Sequence, residues 1–82
     1  MAYASDGTPM LLWTPLAAAS TYRVEIFSED GNPLWSGDVA APPMRWPSGA
    51  PHARGSYRWR VEAQDGGSAI ARSRLTAVEL TR

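Results

Sequence analysis

The chain has 82 residues, of which 44% are hydrophobic and 20% charged, and its eight acidic residues balance eight basic ones. This length and composition predict one folded domain with its own hydrophobic core. A net charge of zero argues against nucleic acid or an anionic membrane surface as the partner. Because there is no cysteine and no apolar run of about 18 residues, we expect no disulfide, no thiolate metal site and no direct membrane insertion.

The N-terminal part of the chain predicts little regular structure. Residues 1–9 are small and polar, and we interpret them as a flexible lead-in to a domain that spans residues 10–82. The apolar run PMLLW at residues 9–13 is bounded by prolines and predicts a short buried strand. Residues 16–20 (LAAAS) are too few to hold a helix, so we interpret them as a connection.

The cleanest alternation in the chain is TYRVEIF, at residues 21–27. A strand here turns one set of side chains inward (Tyr22, Val24, Ile26) and the other set outward (Arg23, Glu25, Phe27). The segment SEDGNP, residues 28–33, supplies a glycine for a hairpin, and LWSGDV, residues 34–39, returns as the partner strand. After two prolines, MRW at residues 44–46 predicts a short strand and residues 47–55 a loop.

A second alternation, SYRWRVEAQ, occupies residues 56–64. Its period of two predicts an inward set (Tyr57, Trp59, Val61, Ala63) and an outward set (Arg58, Arg60, Glu62). Asp65-Gly66-Gly67 predicts another hairpin, and residues 68–80 predict the closing strand. The phase of that strand shifts near Ser73, which a β-bulge would explain.

No segment sustains helical periodicity, and short strands alternate with turn signals along the chain. The sequence therefore predicts an all-β protein, a small antiparallel β-sandwich of six to seven strands. The predicted core contains Leu11, Trp13, Tyr22, Val24, Ile26, Trp46, Tyr57, Trp59 and Val61, with Ile70, Leu75 or Val78 from the closing strand.

Three motifs occur in an order that resembles a fibronectin type III or immunoglobulin-like domain: LLWTP at residues 11–15, YRVEI at 22–26 and GSYRWRVEA at 55–63. The resemblance covers roughly residues 10–80 and is nearest to domains of bacterial envelope-anchored proteins, anti-sigma-factor-like ones included. It implies an extracytoplasmic location and a tyrosine corner in which the Tyr57 hydroxyl bonds back to the preceding loop. The chain departs from the family in that only about a dozen residues precede Trp13, so we expect the first strand to be short or missing.

Arginines interleaved with aromatic residues, as in YRWR at residues 57–60, have two interpretations. They can form a surface that stacks on nucleic acid, or one amphipathic strand. Nucleic acid would need the aromatic rings on the same face as the arginines, and the period of two puts them on opposite faces. We therefore expect a solvated face on which Arg58 and Arg60 lie near Arg23 and its acidic neighbours, and no nucleic-acid partner.

The sequence offers no catalytic residues and no cofactor or metal site. His52 is the only histidine and lies in a loop without a second ligand, and no serine has the context of a nucleophile. Glu29 and Asp30 form a pair at a hairpin tip, which is too few oxygen ligands for calcium. We expect the protein not to be an enzyme.

The remaining candidates are aromatic residues on short strands. Trp35 and Trp46 would each anchor a partner if exposed, although we favour the interpretation that both close the core. Our hypothesis is a non-catalytic interaction or spacer module of a larger extracytoplasmic bacterial protein, contacting a protein or another domain of its own chain. Its partner-binding residues would be Trp35, Phe27, Arg23, Arg58 and Arg60.

The alternative hypothesis is a carbohydrate-binding accessory domain of a secreted hydrolase. Polysaccharide would then stack on a platform formed by Trp35 and Phe27. In either case we expect a monomer or a weak homodimer, the latter through a sheet edge that a short first strand leaves open.

Overall fold

The computed structural model describes residues 2–3, 9–51 and 53–80, so His52 lies outside the described residues. The strands, in chain order, are β1 (Ala2–Tyr3), β2 (Pro9–Leu11), β3 (Thr21–Ser28), β4 (Pro33–Val39), β5 (Met44–Arg45), β6 (Gly55–Asp65), β7 (Ser68–Arg72) and β8 (Thr76–Leu80). They form two antiparallel sheets, and the described ranges contain no helix. The prediction of a small all-β sandwich is confirmed.

The smaller sheet has the order β1-β2-β5, and the larger one has the order β4-β3-β6 with β7 and β8 both on the far side of β6. The predicted lead-in over residues 1–9 is described only in part: Ala2–Tyr3 pairs with β2, which itself begins at Pro9. The strand predicted over residues 9–13 ends early, at Leu11. The chain then crosses to the larger sheet through residues 12–20, which include the connection predicted over residues 16–20.

The two hairpins of the larger sheet form where the glycines allow them. Gly31 has φ 92° in the turn between β3 and β4, and Gly66 has φ 61° in the turn between β6 and β7. These positive values are the backbone conformation in which a side chain would be strained. Both predicted hairpins are therefore confirmed.

The closing strand is broken in two at the place where its phase shifts. The N–H of Ser73 donates to the carbonyl of Val61 at 2.8 Å, and the Ser73 hydroxyl accepts from the N–H of Val61 at 2.9 Å. The Ser73 hydroxyl thus takes the place of a backbone carbonyl as the acceptor for Val61. Regular pairing with β6 begins again at Thr76, the first residue of β8. The β-bulge itself lies in the β6–β7 pairing, between Ala63 and Gln64, where Ile70 is the extra residue.

The core lies between the sheets. Its buried hydrophobic residues are Leu11, Tyr22, Val24, Ile26, Met44, Trp46, Ala50, Tyr57, Trp59, Val61, Ala63, Val78 and Leu80. Of the three alternatives predicted for the closing strand, Val78 is the buried one, whereas Ile70 and Leu75 are each 44% exposed. Every residue of β7 is exposed.

The ring of Trp13 packs against two other aromatic rings of the core. Trp13 is half-buried rather than buried, and its ring is 5.5 Å from that of Tyr22 and 6.2 Å from that of Trp59. The indole nitrogens of Trp13 and Trp59 are buried and have no hydrogen-bond partner in the described part of the chain. Both residues therefore stabilise the fold through the apolar area that their rings bury rather than through a hydrogen bond.

The tyrosine corner implied by the resemblance is present. The Tyr57 hydroxyl donates to the carbonyl of Ala53 at 2.7 Å, which ties the start of β6 to the loop before it. The Tyr22 hydroxyl makes a similar link at the other end of the sheet by accepting from the N–H of Leu16 at 2.9 Å. Each tyrosine thus buries its ring in the core and satisfies a loop backbone group with its hydroxyl.

Candidate binding face of the five-stranded sheet

The outward surface of the larger sheet carries the charged residues that the two alternations predicted. We call it the outer face; its side chains come from β3 and β6 at the centre, with β4 on one side and β7 and β8 on the other. The register pairs Glu25 with Arg60 and Arg23 with Glu62 across β3 and β6. Opposite charges therefore face each other, as expected for a solvated amphipathic face.

Arg60 is held by two neighbours on this face. Its Nε and Nη2 donate to Oε1 of Glu25 at 3.1 and 2.9 Å. Its guanidinium carbon also lies 5.2 Å from the centroid of the Phe27 ring, a cation–π arrangement. The side chains of both charged residues are only about a quarter exposed, at 26% for Arg60 and 25% for Glu25. The fold thus fixes the position of Arg60.

Glu62 is the most covered charge on the outer face. It accepts from Nε of Arg72 at 3.0 Å and from Nη2 of the same residue at 2.5 Å, and Nε2 of Gln64 donates to it at 2.9 Å. The hydrogen bond from Gln64, followed by that from Arg72, lowers the pKa of Glu62 below its usual value. In return, the hydrogen bond to Glu62 raises the pKa of Arg72. This cluster could not be predicted from the sequence, because it depends on the register of β7.

Arg23 and Arg58 are the exposed arginines of the two central strands. Nε of Arg23 lies 3.7 Å from Oδ1 of Asp38, its register partner on β4. Arg58 stands opposite Phe27 on one side and Ala77 on the other. Its side chain forms no ion pair or hydrogen bond with any other residue of the described ranges. Among the arginines predicted to bind a partner, Arg58 is the one whose charge the fold leaves available.

Trp35 and Trp46 both face inward. Trp46 is 3% exposed, donates from Nε1 to the carbonyl of Pro51 at 3.0 Å and packs against the Tyr57 ring at 5.6 Å. Trp35 is half-buried and pairs in register with Ile26, which is fully buried. Its ring lies over Gly37 and reaches Gly49, which belongs to the loop between β5 and β6. The interpretation that these tryptophans close the core is confirmed for Trp46 and agrees with the packing of Trp35.

Phe27 and Trp35 lie on opposite sides of the sheet. Phe27 is on the outer face beneath Arg60, whereas Trp35 packs against the inner side. Because stacking on one polysaccharide chain needs rings on a common surface, these two residues do not form the shared platform that the carbohydrate hypothesis predicted.

A shallow groove of about 230 Å³ is lined by residues that include Trp13, Leu16, Tyr22, Val61 and Ala71. Among the residues that the structure describes, no three histidine, cysteine or acidic side chains are grouped so that they could hold a metal ion. No helix within those residues has the length and apolar character needed to cross a bilayer.

Searches with this chain found no match among protein-family models, curated proteins or solved structures.

Proposed function

We propose that the chain is a non-catalytic interaction module of the fibronectin type III kind that contacts a protein partner through its outer face. The grouping of β1, β2 and β5 against a sheet of β3, β4, β6 and the closing strands supports this kinship, as does the tyrosine corner at Tyr57. The sequence resemblance supports an extracytoplasmic setting in a bacterial envelope protein. Function is argued from the site, because this fold hosts unrelated roles.

The observation that carries the proposal is the position of Arg58 beside Phe27. Arg23, Arg60 and Arg72 each have a carboxylate partner, and Arg58 has none in the described chain. Arginine and the aromatic residues, phenylalanine included, are enriched in protein interfaces, and arginine is also enriched among the residues that contribute most of the binding energy. Arg58 keeps its guanidinium free to form a bidentate pair with a partner's carboxylate, while Phe27 supplies apolar area.

A selection with displayed peptides tests the proposal. A library of random peptides on phage is selected on the immobilised protein, and enriched peptides are measured by calorimetry against the wild type and variants. We expect peptides that combine a carboxylate with apolar side chains, whose affinity falls about tenfold or more in Arg58→Glu or Phe27→Ala. Arg54→Glu, at an exposed loop position, is the matched control and should change affinity little.

Two results would contradict the proposal. Peptides that bind the Arg58→Glu, Phe27→Ala double variant as tightly as the wild type would place the binding surface elsewhere. A selection that enriches nothing would support the spacer interpretation instead.

The carbohydrate-binding alternative has less support from the geometry. It now depends on Phe27 alone, and the guanidinium of Arg60 already lies over that ring. A sugar ring would have to displace Arg60 from both the ring and Glu25 before it could stack. Binding of a soluble polysaccharide that is lost in Phe27→Ala would nevertheless favour this alternative.

A further inference from the structure

The strand β4 forms one edge of the larger sheet. It pairs with β3 and, within the described ranges, with no other strand. The first two residues of β4 are poorly suited to pair with another strand. Pro33 lacks an N–H, and Leu34 is an extra residue in the pairing with β3. The segment 35–39 is regular and has an outer edge of backbone groups that the sheet does not use. Such an edge is a template for another strand.

The inner side of this segment is incompletely covered. Trp35 and Val39 both pack against the core and both are only half-buried, and Gly37 between them has no side chain. A strand laid along the edge would bring its own apolar side chains against Trp35 and Val39 and complete their burial.

We propose that two copies of this chain associate through antiparallel pairing of their β4 edges, with the two-fold axis at Gly37. The pairing joins the two five-stranded sheets into one continuous sheet. Trp35 of each copy then lies opposite Val39 of the other, and Ser36 lies opposite Asp38. The contact is isologous, so each of these pairs occurs twice.

Charge and backbone chemistry select this register over its neighbours. An axis at Asp38 would place two carboxylates directly opposite each other, which is unfavourable in a cross-strand pair. An axis at Ser36 would place Val39 opposite Pro33, which cannot donate, and would run the ladder into the irregularity at Leu34. The axis at Gly37 avoids both, because Asp38 meets a neutral serine.

The dimer is expected to be weak. Only five residues of each copy take part in the ladder, and stable interfaces bury about 800 Å² on each partner. The association should therefore depend on protein concentration, with most of the protein monomeric at roughly 10 μM and dimer accumulating toward roughly 1 mM.

Sedimentation velocity over that concentration range tests the proposal with a pair of opposite charge changes at one exposed position. Ser36→Arg places a guanidinium against Asp38 of the other copy and should tighten the dimer, and Ser36→Asp places a second carboxylate there and should weaken it. With two symmetry-related pairs, each shift in the dissociation constant should be about tenfold. Ser68→Arg and Ser68→Asp, on the edge strand β7, are the matched controls and should leave it unchanged.

Thermal unfolding of all four variants at low concentration checks that each remains folded. A wild type that stays monomeric throughout the range would overturn the proposal. So would Ser36 variants that shift the equilibrium in the same direction, or Ser68 variants that shift it as strongly. This test changes neither Phe27 nor Arg58, so its failure leaves the proposed function standing.

Discussion

The indole ring of Trp35 lies against the backbone of Gly37, two residues further along the same strand. A Cβ placed on residue 37 would come within 2.6 Å of Cη2 and 2.8 Å of Cζ2 of the ring. The missing side chain at 37 is therefore what lets Trp35 fold down over its own strand and cover the edge of the core. The partial burial of Trp35 thus depends on a residue with no side chain.

Gly37→Ala should consequently destabilise the protein. The methyl group forces the Trp35 ring away from the sheet, and overpacking of this kind costs typically about 1–3 kcal/mol. Urea unfolding would measure the loss, with Ser36→Ala on the same strand as the control. Replacing Trp35 by leucine should reduce the penalty of the alanine, and a Gly37→Ala variant as stable as the wild type would contradict this packing.

The hydroxyl of Ser73 should matter more than its exposure suggests. Ser73→Ala removes the acceptor of the Val61 N–H and leaves a buried donor without a partner, which costs about 1–3 kcal/mol. The Val61 amide should also exchange its hydrogen faster in the variant. Ser68→Ala, on the exposed strand β7, is the control. Equal stability of the two variants would show that the Ser73 hydroxyl is not part of the ladder.

The lowered pKa of Glu62 gives the stability a dependence on pH. A carboxyl whose pKa is lower in the folded state stabilises that state at pH values above its unfolded pKa, and this contribution is lost as the pH falls through the folded pKa. The free energy of unfolding should therefore decline on acidification below about pH 5, and Glu62→Gln should flatten part of that decline. Glu79→Gln is the exposed control; an unchanged pH profile in Glu62→Gln would contradict the assignment.

Alanine substitutions at two neighbouring residues of β6 should differ strongly in their effect on stability. Trp59 is 5% exposed, so Trp59→Ala should cost roughly 3–5 kcal/mol and unfold much of so small a domain at room temperature. Arg58→Ala should change stability by under about 1 kcal/mol, since the fold does not use its charge. Circular dichroism and urea titration would compare them. A cooperative, stable Trp59→Ala variant would refute the core assignment, and a loss above about 2 kcal/mol in Arg58→Ala would show that the arginine is structural.

The parts of the fold that could be predicted from the sequence are those with a local cause. Residues 21–27 and 56–64 alternate with the period of a strand, so each segment shows its own buried side. The hairpins at Gly31 and Gly66 were predictable for the same reason, because each turn needs a residue that accepts a positive φ.

The parts that could not be predicted depend on distant segments. Ile70 and Leu75 are apolar and lie in the segment predicted as the closing strand, yet Ile70 is the extra residue of the β-bulge and Leu75 lies between β7 and β8. Both positions depend on how the segment pairs with β6, which the neighbouring residues in the sequence do not show. The Glu62–Arg72 pair depends on a bulge that sets the register of β7. The place of Trp35 depends on Gly37 and Gly49, and only contacts in the folded chain reveal its inward side.

The most direct test of the proposed binding face is to map where a bound peptide contacts the protein. The ¹⁵N-labelled domain is titrated with a peptide enriched in the display selection, and backbone chemical-shift changes are followed residue by residue. We predict changes that cluster around Phe27, Arg58 and Ala77 and that disappear in Arg58→Glu. Changes centred instead on the groove at Trp13 and Ala71, and unaffected by Arg58→Glu, would contradict the assignment of the outer face.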